Sequence, residues 1–228
     1  MERINKYLAK CNLGSRRKVE KYIENGQIFI DGKKASLTDI VSPNNVITLD
    51  DKPLLAKKFE YVLINKPTGY VTTVKDNHAK QIIIDLLPQN LRHLKPVGRL
   101  DKETSGLILL TNDGNLANKL THPRYEKEKE YEVKTKPEFT ETALEKMSSG
   151  FELEDGFIKP KKFEIKNGKI YITISEGRNR LIRRMFSYFG FEVIELKRTR
   201  ISFLKLGHLR EGEFIHLSNK EICKLKDE

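Results

Sequence analysis

Residues 98–110 have the sequence Gly-Arg-Leu-Asp-Lys-Glu-Thr-Ser-Gly-Leu-Ile-Leu-Leu, and the prediction of the fold starts from this stretch. One carboxylate, Asp101, lies between Arg99 and Lys102, just ahead of the apolar run 107–110, which predicts a buried strand. An acid beside a strand, in a loop that also holds cations and Gly, indicates a reaction site for an anionic substrate. Asp and Gly alone are equally consistent with a polar turn between two strands.

Short apolar runs separated by turn residues surround this stretch on both sides. They predict strands over 61–64, 70–74, 131–133, 163–165, 170–174, 191–196 and 212–217, with a turn over 66–69 and a hairpin turn at Asn167-Gly168. Helical patterns cover 82–87, 140–147 and 178–189, and another helix begins after Asn112 or Asp113 and contains Leu120. Strands dominate and are often joined by hairpins, so the sequence predicts an α+β fold with a mixed, largely antiparallel sheet.

The first fifty residues have a pattern of their own. Apolar residues from Ile4 to Cys11 recur at helical spacing, and Ser15 is a good N-cap for a second helix. A hairpin over 27–35 and a strand over 46–49 follow. We therefore expect a small N-terminal domain over residues 1–49, a charged linker over 50–59 and a larger domain over 60–228.

The chain is strongly basic. Its 228 residues carry a net charge of +11, and the sequence pI is about 9.5. Residues 1–50 hold nine Lys or Arg against six Asp or Glu, so most of the surplus lies in the larger domain. Such a surplus favours polyanions such as RNA through phosphate neutralisation, although solubility alone is an alternative explanation.

Several classes of protein are disfavoured by the sequence. The two cysteines, Cys11 and Cys223, have no CxxC partner, and the histidines lack metal-ligand spacing, so we expect no metal site. No GxGxxG motif or P-loop is present, so we expect no nucleotide cofactor. No apolar segment could span a bilayer and no signal-peptide core is visible, so we expect a cytoplasmic protein without a membrane partner.

Two basic helices are candidate RNA contacts. The first turns of the second predicted helix carry four cations that oppose the helix dipole, which suggests a partner anion rather than a merely solvated face: Arg16, Arg17, Lys18 and Lys21. The other helix has four arginines, at 178, 180, 183 and 184, interleaved with apolar residues. Arg183 is next to its buried face and would need an anionic partner there, which an ordinary basic helix would not require.

These strings resemble known families. Residues 98–107 and 176–186 closely resemble the catalytic motifs of the pseudouridine synthases, specifically the RsuA/RluB/RluF branch that modifies ribosomal RNA. Residues 14–18 and 23–32 resemble the S4 RNA-binding module. The strings 66–69, 129–131 and 196–201 match the same branch in order. One departure is visible, because Leu181 stands where members of this branch often carry Gln or Glu, and leucine can make no polar contact from its side chain.

The resemblance implies an enzyme that isomerises a uridine of ribosomal RNA to pseudouridine without a cofactor. The N1–C1′ bond breaks, the uracil turns, and C5 bonds to C1′, after the target has left the base stack. The similarity of 14–18 and 197–201 to large-subunit enzymes favours 23S ribosomal RNA as the substrate, and we expect a monomer. An RNA-binding module without chemistry and a non-catalytic ribosome-assembly factor are the alternatives.

The resemblance also assigns roles to individual residues. Asp101 is the essential carboxylate, acting as nucleophile, as stabiliser of a sugar cation or as base, and sequence does not choose among these roles. Tyr131 would stack on the flipped uracil, and Arg183 would pair with Asp101. The remaining expected contacts with substrate or RNA are Arg99, Ile182, Arg178, Arg180, Arg16, Arg17, Lys18 and Lys21.

Overall fold

A computed structural model describes residues 1–11, 13–74 and 79–227 of the chain. His78, one of the five histidines considered above, lies outside the described residues. Contacts divide the chain into two compact units, Met1–Phe59 and Glu60–Glu228.

The first unit combines two short helices with small sheets. Strands β1 and β4 pair with each other, and β2, β3, β5 and β6 form a sheet of order β3-β2-β5-β6. The elements in chain order are β1 Glu2–Arg3, α1 Ile4–Lys10, α2 Arg16–Glu24, β2 Ile28–Ile30, β3 Lys33–Lys34, β4 Ile40–Val41, β5 Ile47–Leu49 and β6 Lys52–Pro53.

Local sequence explains these elements. The Ser15 hydroxyl accepts a hydrogen bond from the Lys18 amide at 3.2 Å, which confirms the predicted N-cap of α2. Ile4, Val19 and Ile28, from three different elements, meet in the core of the unit. The stretch predicted as a linker, 50–59, contains strand β6, and the division by contacts places all of its residues in the first unit.

The second unit is built on one large sheet. Its strands are β7 Tyr61–Lys66, β8 Lys95–Pro96, β9 Ser105–Thr111, β10 Lys129–Lys136, β11 Phe151–Leu153, β12 Gly156–Ile158, β13 Lys162–Lys166, β14 Lys169–Ile174, β15 Glu192–Ile201, β16 Leu204–Lys205 and β17 Phe214–His216. Its α-helices are α3 Gly114–Thr121, α4 Glu141–Ser148, α5 Leu181–Tyr188 and α6 Asn219–Asp227, and 3₁₀ turns cover Ile83–Leu86, Gln89–Leu91 and Pro123–Tyr125.

The order of the large sheet is β13-β14-β10-β15-β9-β7-β17, with β16 beside β15 and β8 beside β9. Between the described strands of this sheet, β9 and β15 run parallel and the other pairs are antiparallel. The separate hairpin β11–β12 lies outside the sheet. The mixed, largely antiparallel α+β architecture predicted from the sequence is confirmed.

The neighbouring strands β7 and β9 are buried on both faces. Every residue of both strands is buried, and alternate side chains enter different cores. Val62 and Ile108 join the larger core beneath α4 and α5, whereas Leu63 and Leu107 join a second core with α3 and α6. This double burial explains why residues 107–110 form a continuous apolar run.

Gly106 allows the parallel pairing at the start of β9. A Cβ at this position would lie 2.3 Å from the Arg198 carbonyl oxygen on β15, and the φ of Gly106 is +108°. A side chain larger than hydrogen would therefore push the two strands apart. This close approach ties the end of the Asp101 loop to β15.

Three predicted elements are wrong in detail. Residues 70–74 form a bend with one isolated bridge, Val71 to Ile82, instead of a strand. The predicted helix 82–87 is a 3₁₀ turn. Helix α5 begins at Leu181 rather than at Arg178, because Arg180 has a left-handed φ of +47° and the Arg178 side chain is bound to the β11–β12 hairpin.

The helices predicted after Asn112 or Asp113 and over 140–147, and the hairpin turn predicted at Asn167-Gly168, are confirmed. Asp113 caps α3 and Thr140 caps α4 through their side-chain oxygens. Asn167 and Gly168 both have positive φ at the turn of the β13–β14 hairpin. The hairpin β11–β12 and helix α6 were not predicted. Within the described residues, no helix is long and apolar enough to cross a membrane.

Candidate active site

Asp101 lies in the loop that enters β9. The Thr104 amide donates to the Asp101 carbonyl at 3.0 Å. This bond closes a turn that directs the chain into β9. The Asp101 side chain is half-buried, whereas the preceding Leu100 is in the core. The loop thus presents one carboxylate from an anchored backbone.

A cavity of about 290 Å³ opens beside this carboxylate. This volume is at the lower end of the roughly 300–1,000 Å³ typical of ligand pockets. The walls come from the Asp101 loop, from β10, β14 and β15, and from the segment that leads into α5. Five of the residues expected at the catalytic centre line it together: Arg99, Asp101, Tyr131, Ile182 and Arg183.

Tyr131 enters the cavity from the middle of the sheet. It lies on β10 opposite Ile172 on β14 and Arg198 on β15, and it is 8 % exposed. Its ring packs within the larger core, so the position of the ring is set by the neighbouring strands. A fixed, buried aromatic face is suited to stacking against a planar base.

Arg183 does not pair with Asp101, and that part of the prediction is wrong. Among the described residues, no ion pair or hydrogen bond joins the two side chains. The Arg183 guanidinium donates instead to the carbonyl oxygens of Val193, at 2.7 Å, and Glu103, at 3.1 Å. Arg183 therefore holds the Asp101 loop through its backbone two residues further along, while still lining the cavity.

Arg178 also lines the cavity, but its guanidinium donates hydrogen bonds to other groups of the protein. It bonds the Glu176 carboxylate at 2.6 Å, the Asp155 carboxylate at 2.8 Å, and the carbonyls of Gly156 and Phe157. Arg184 binds the same Asp155 with two nitrogens, and these contacts lower the pKa of Asp155 to about 2. Arg178 thus anchors the β11–β12 hairpin to the cavity wall.

The other expected contacts differ in exposure. Arg99 and Arg180 are exposed, and Arg180 makes a long contact of 3.4 Å with Glu103. Ile182 is 4 % exposed and Leu181 is 3 % exposed, and both belong to the core as well as to the cavity wall. Both residues therefore present an apolar surface to the cavity.

Thr104 is a cavity residue for which sequence reasoning gave no role. It is 1 % exposed, and its hydroxyl has no hydrogen-bond partner among the described residues. Its position three residues after Asp101 was the available signal. A buried hydroxyl without a partner beside a carboxylate is available to bind a polar group of a substrate.

Sequence reasoning also left two lysines without a role, one fully buried and one half-buried: Lys66 and Lys129. Lys66 is fully buried at the end of β7, and burial lowers its pKa to about 8. Burial lowers the pKa of Lys129 on β10 to about 8, and the nearby Arg198 contributes to this shift. Lys66 and Lys129 lie in the strings 66–69 and 129–131 that match the family branch, and this match could have indicated a role for them.

The cations of helix α2 in the first unit, unlike Arg178 and Arg183, are exposed. Its four cations lie on one side of α2, are all exposed, and form no ion pair within the part of the chain that the structure describes: Arg16, Arg17, Lys18 and Lys21. The first turn of this helix carries no acidic residue. The surface that they form, called here the α2 cation face, is free to bind anions.

Comparison with protein families gives two matches in the order of the two units. Residues 2–47 match the S4 domain, and residues 60–188 match the RNA pseudouridylate synthase family. The second match covers more than half of the chain and includes Asp101, Tyr131 and Arg183.

Similar proteins match over the full chain. An uncharacterised RNA pseudouridine synthase of Aquifex aeolicus (strain VF5) is 38 % identical, over 98 % of this chain and 93 % of its own length. Ribosomal large subunit pseudouridine synthase B of Bacillus subtilis (strain 168) is 36 % identical, over 99 % of this chain and 96 % of its own length. The dual-specificity RNA pseudouridine synthase RluF of Escherichia coli (strain K12) is 37 % identical, over 98 % of this chain and 78 % of its own length.

A solved structure has the same fold. The crystal structure of a pseudouridylate synthase superposes with a TM-score of 0.71 and 31 % identity, and the match covers 99 % of this chain and 100 % of that one. Family, relatives and solved structure agree on one assignment. The chain belongs to the RNA pseudouridylate synthase family, a family of isomerases, and carries an S4 domain at its N-terminus.

Proposed function

We propose that this enzyme converts a specific uridine of ribosomal RNA, in the large subunit, to pseudouridine, with Asp101 as the catalytic carboxylate. We assign RNA binding to the S4 domain over residues 1–49 and chemistry to residues 60–228. The observation that carries the proposal is the shared cavity, because Asp101, Tyr131 and Arg183 come from three separated parts of the sequence and line the same 290 Å³ space.

The composition of the cavity fits the reaction. The N1–C1′ bond breaks, the uracil turns, C5 bonds to C1′, the hydrogen on C5 leaves as a proton, and N1 gains a proton, so the reaction needs no oxidant or group donor. Among the described residues, two carboxylates line the cavity, and that of Glu176 is bound by Arg178. Asp101 is therefore the carboxylate that would act as nucleophile on C1′, as stabiliser of positive charge at C1′, or as base on the ribose. Tyr131 and Ile182 offer apolar surface for the two faces of the uracil.

The arginines around the cavity have separate tasks in this proposal. Arg99, which is exposed beside Asp101, contacts the RNA from which the uridine has been extruded. Arg183 holds the Asp101 loop through the Glu103 carbonyl and presents its charge to the cavity. Arg180 is exposed at the rim and contacts phosphate, whereas Arg178 keeps the rim in place.

Charge and relatives support the choice of RNA. The net charge of +11 and the free α2 cation face favour a long polyanion. The Bacillus subtilis relative is named for the large ribosomal subunit, and the Escherichia coli relative is named for dual specificity. We therefore place the target in large-subunit ribosomal RNA.

Loss of tritium tests the proposal directly. Ribosomal RNA prepared from cells that lack the gene is labelled with tritium at uridine C5 and incubated with the enzyme, and the target is then mapped. We expect one equivalent of tritium to be released per large-subunit RNA and one new pseudouridine at a single position. Release from small-subunit RNA alone would contradict the substrate, and an absence of release from either RNA would contradict the activity.

A further inference from the structure

The backbone just before Asp101 is held by one buried side chain. The Thr72 hydroxyl donates to the Leu100 carbonyl at 2.7 Å, and it accepts from the Leu100 amide at 3.2 Å. Thr72 and Leu100 are each 5 % exposed, so water does not compete for these bonds. One hydroxyl therefore binds both polar backbone groups of the residue that precedes the catalytic carboxylate.

The backbone just after Asp101 is held by the same segment. The Lys102 carbonyl accepts from the Gly69 amide at 2.8 Å and lies 3.5 Å from the Lys66 ammonium. Residues 66–72 thus bracket Asp101 from both sides. In place of the predicted strand 70–74, the Val71 backbone bonds to Gln81 and Ile83, and the Thr72 side chain bonds to the Asp101 loop.

Asp101 itself makes no side-chain hydrogen bond within the described residues. The direction of its carboxylate therefore depends on the backbone that carries it more than on any contact of its own. Catalysis is sensitive to such placement, since a shift of about 1 Å in a reacting group can cost on the order of 100-fold in rate. A group that fixes the Leu100 backbone can consequently control the rate without contacting the substrate.

We propose that Thr72 is a positioning residue, whose hydroxyl sets the direction of the Asp101 carboxylate by holding both backbone polar groups of Leu100. This inference rests on the proposed role of Asp101 in catalysis. Thr72 does not line the cavity. Its effect is therefore on the catalytic step, while substrate binding is left to the cavity walls and the S4 domain.

Replacement of Thr72 tests the inference by separating kcat from KM. Thr72→Val keeps the shape but removes the hydroxyl, and we expect kcat to fall about 10- to 100-fold with KM and RNA affinity unchanged. Thr72→Ser keeps the hydroxyl and should restore kcat to within about threefold of the parent. If the valine variant does not fold, Thr72→Ala removes the same hydroxyl without adding a methyl group and must show the same loss.

Thr111 supplies a matched control. Its hydroxyl donates to the Glu60 carbonyl at 2.6 Å and accepts from the Asp113 amide at 3.0 Å, and the residue is 2 % exposed. Thr111→Val should lower the melting temperature about as much as Thr72→Val while leaving kcat unchanged. Equal kcat values in the two valine variants, or a change confined to KM, would overturn the positioning role.

Asp101→Asn in the same assay separates the two proposals. An inactive Asp101→Asn enzyme together with a fully active Thr72→Val enzyme would overturn the role of Thr72 alone. A fully active Asp101→Asn enzyme would overturn the proposed catalytic role of Asp101 itself. Loss of kcat in both variants, with rescue by Thr72→Ser, is the expected result.

Discussion

The two basic helices of this protein look alike in sequence and differ in structure. The cations of the α2 cation face are exposed and unpaired within the described residues, and nothing in the first unit occupies them. Three of the four arginines around α5 are partly buried and already bind carbonyls or carboxylates of the protein: Arg178, Arg183 and Arg184. A run of cations therefore indicates an RNA contact only after its hydrogen bonds to the protein have been counted.

The difference assigns a distinct task to each surface. The α2 cation face should bind RNA through phosphate neutralisation, which depends on salt and little on geometry. Arg178, Arg183 and Arg184 should maintain the shape of the cavity, which depends on geometry and little on salt. Substitutions of Arg183 and of the α2 cation face each change one side of this comparison.

Between the two basic surfaces, the largest effect is expected from Arg183. Arg183→Ala removes the hold on Glu103 and Val193, so we expect kcat to fall about 100-fold and the free energy of unfolding to fall by about 2–3 kcal/mol. Turnover assays and thermal unfolding measure the two effects. Arg180→Ala is the control for stability, because this exposed arginine should contribute no more than about 0.5 kcal/mol. Unchanged melting of Arg183→Ala would show that its two carbonyl contacts are unimportant.

Neutralising the α2 cation face should change binding without changing chemistry. With Arg16, Arg17, Lys18 and Lys21 all replaced by Gln, we expect RNA affinity to fall and the slope of log K against log salt to shrink by about 3. At saturating RNA, kcat should stay at the parent value. Filter binding at several salt concentrations gives the slope.

A second set of four lysines provides the control for net charge. Each of them lies in an ion pair with a glutamate on the second unit: Lys161, Lys162, Lys166 and Lys169. Replacing these four by Gln makes the same change in net charge. If both quadruple variants lost affinity equally, binding would depend on overall charge and the α2 cation face would have no special role.

The smallest effect concerns a buried cation. Burial lowers the pKa of Lys66 to about 8 in the folded enzyme, whereas an unfolded lysine titrates near about 10.4. Between these values the unfolded chain binds more protons, so the contribution of Lys66 to stability rises with pH and is lost as pH falls through 8. Urea unfolding gives the free energy of unfolding of the parent and of Lys66→Met at each pH. From pH 8 to pH 10, we expect the parent to gain stability relative to Lys66→Met. A constant difference would contradict the lowered pKa.

Much of the fold could be predicted because its signals are local. Residues 107–110 are apolar without interruption because β9 is buried on both faces, and the turns at Asp31-Gly32 and Asn167-Gly168 use residues that tolerate positive φ. Residues 70–74 were predicted as a strand from local sequence alone. The partner of the Thr72 side chain, Leu100, is 28 positions away, and no local pattern encodes that contact.

The candidate site was predictable as a set of residues but not as a set of contacts. The strings around Asp101, Tyr131 and Arg183 indicated which side chains share the cavity. They did not indicate that Arg183 binds the carbonyl oxygen of Glu103 rather than the carboxylate of Asp101, because such a choice depends on the backbone path between α5 and β9. Thr104 and Thr72 went unassigned for the same reason, since their roles follow from burial and hydrogen bonding.

The central claim is that the carboxylate of Asp101 performs the chemistry in this cavity. Tritium release from RNA labelled at uridine C5, measured in single turnover with Asp101→Asn and the parent enzyme, tests that claim most directly. The amide keeps the shape of the side chain but cannot act as nucleophile or base. We predict a loss of at least about 10⁴-fold in rate, with RNA affinity and melting temperature close to the parent values. A rate within about tenfold of the parent would show that Asp101 is not the catalytic carboxylate.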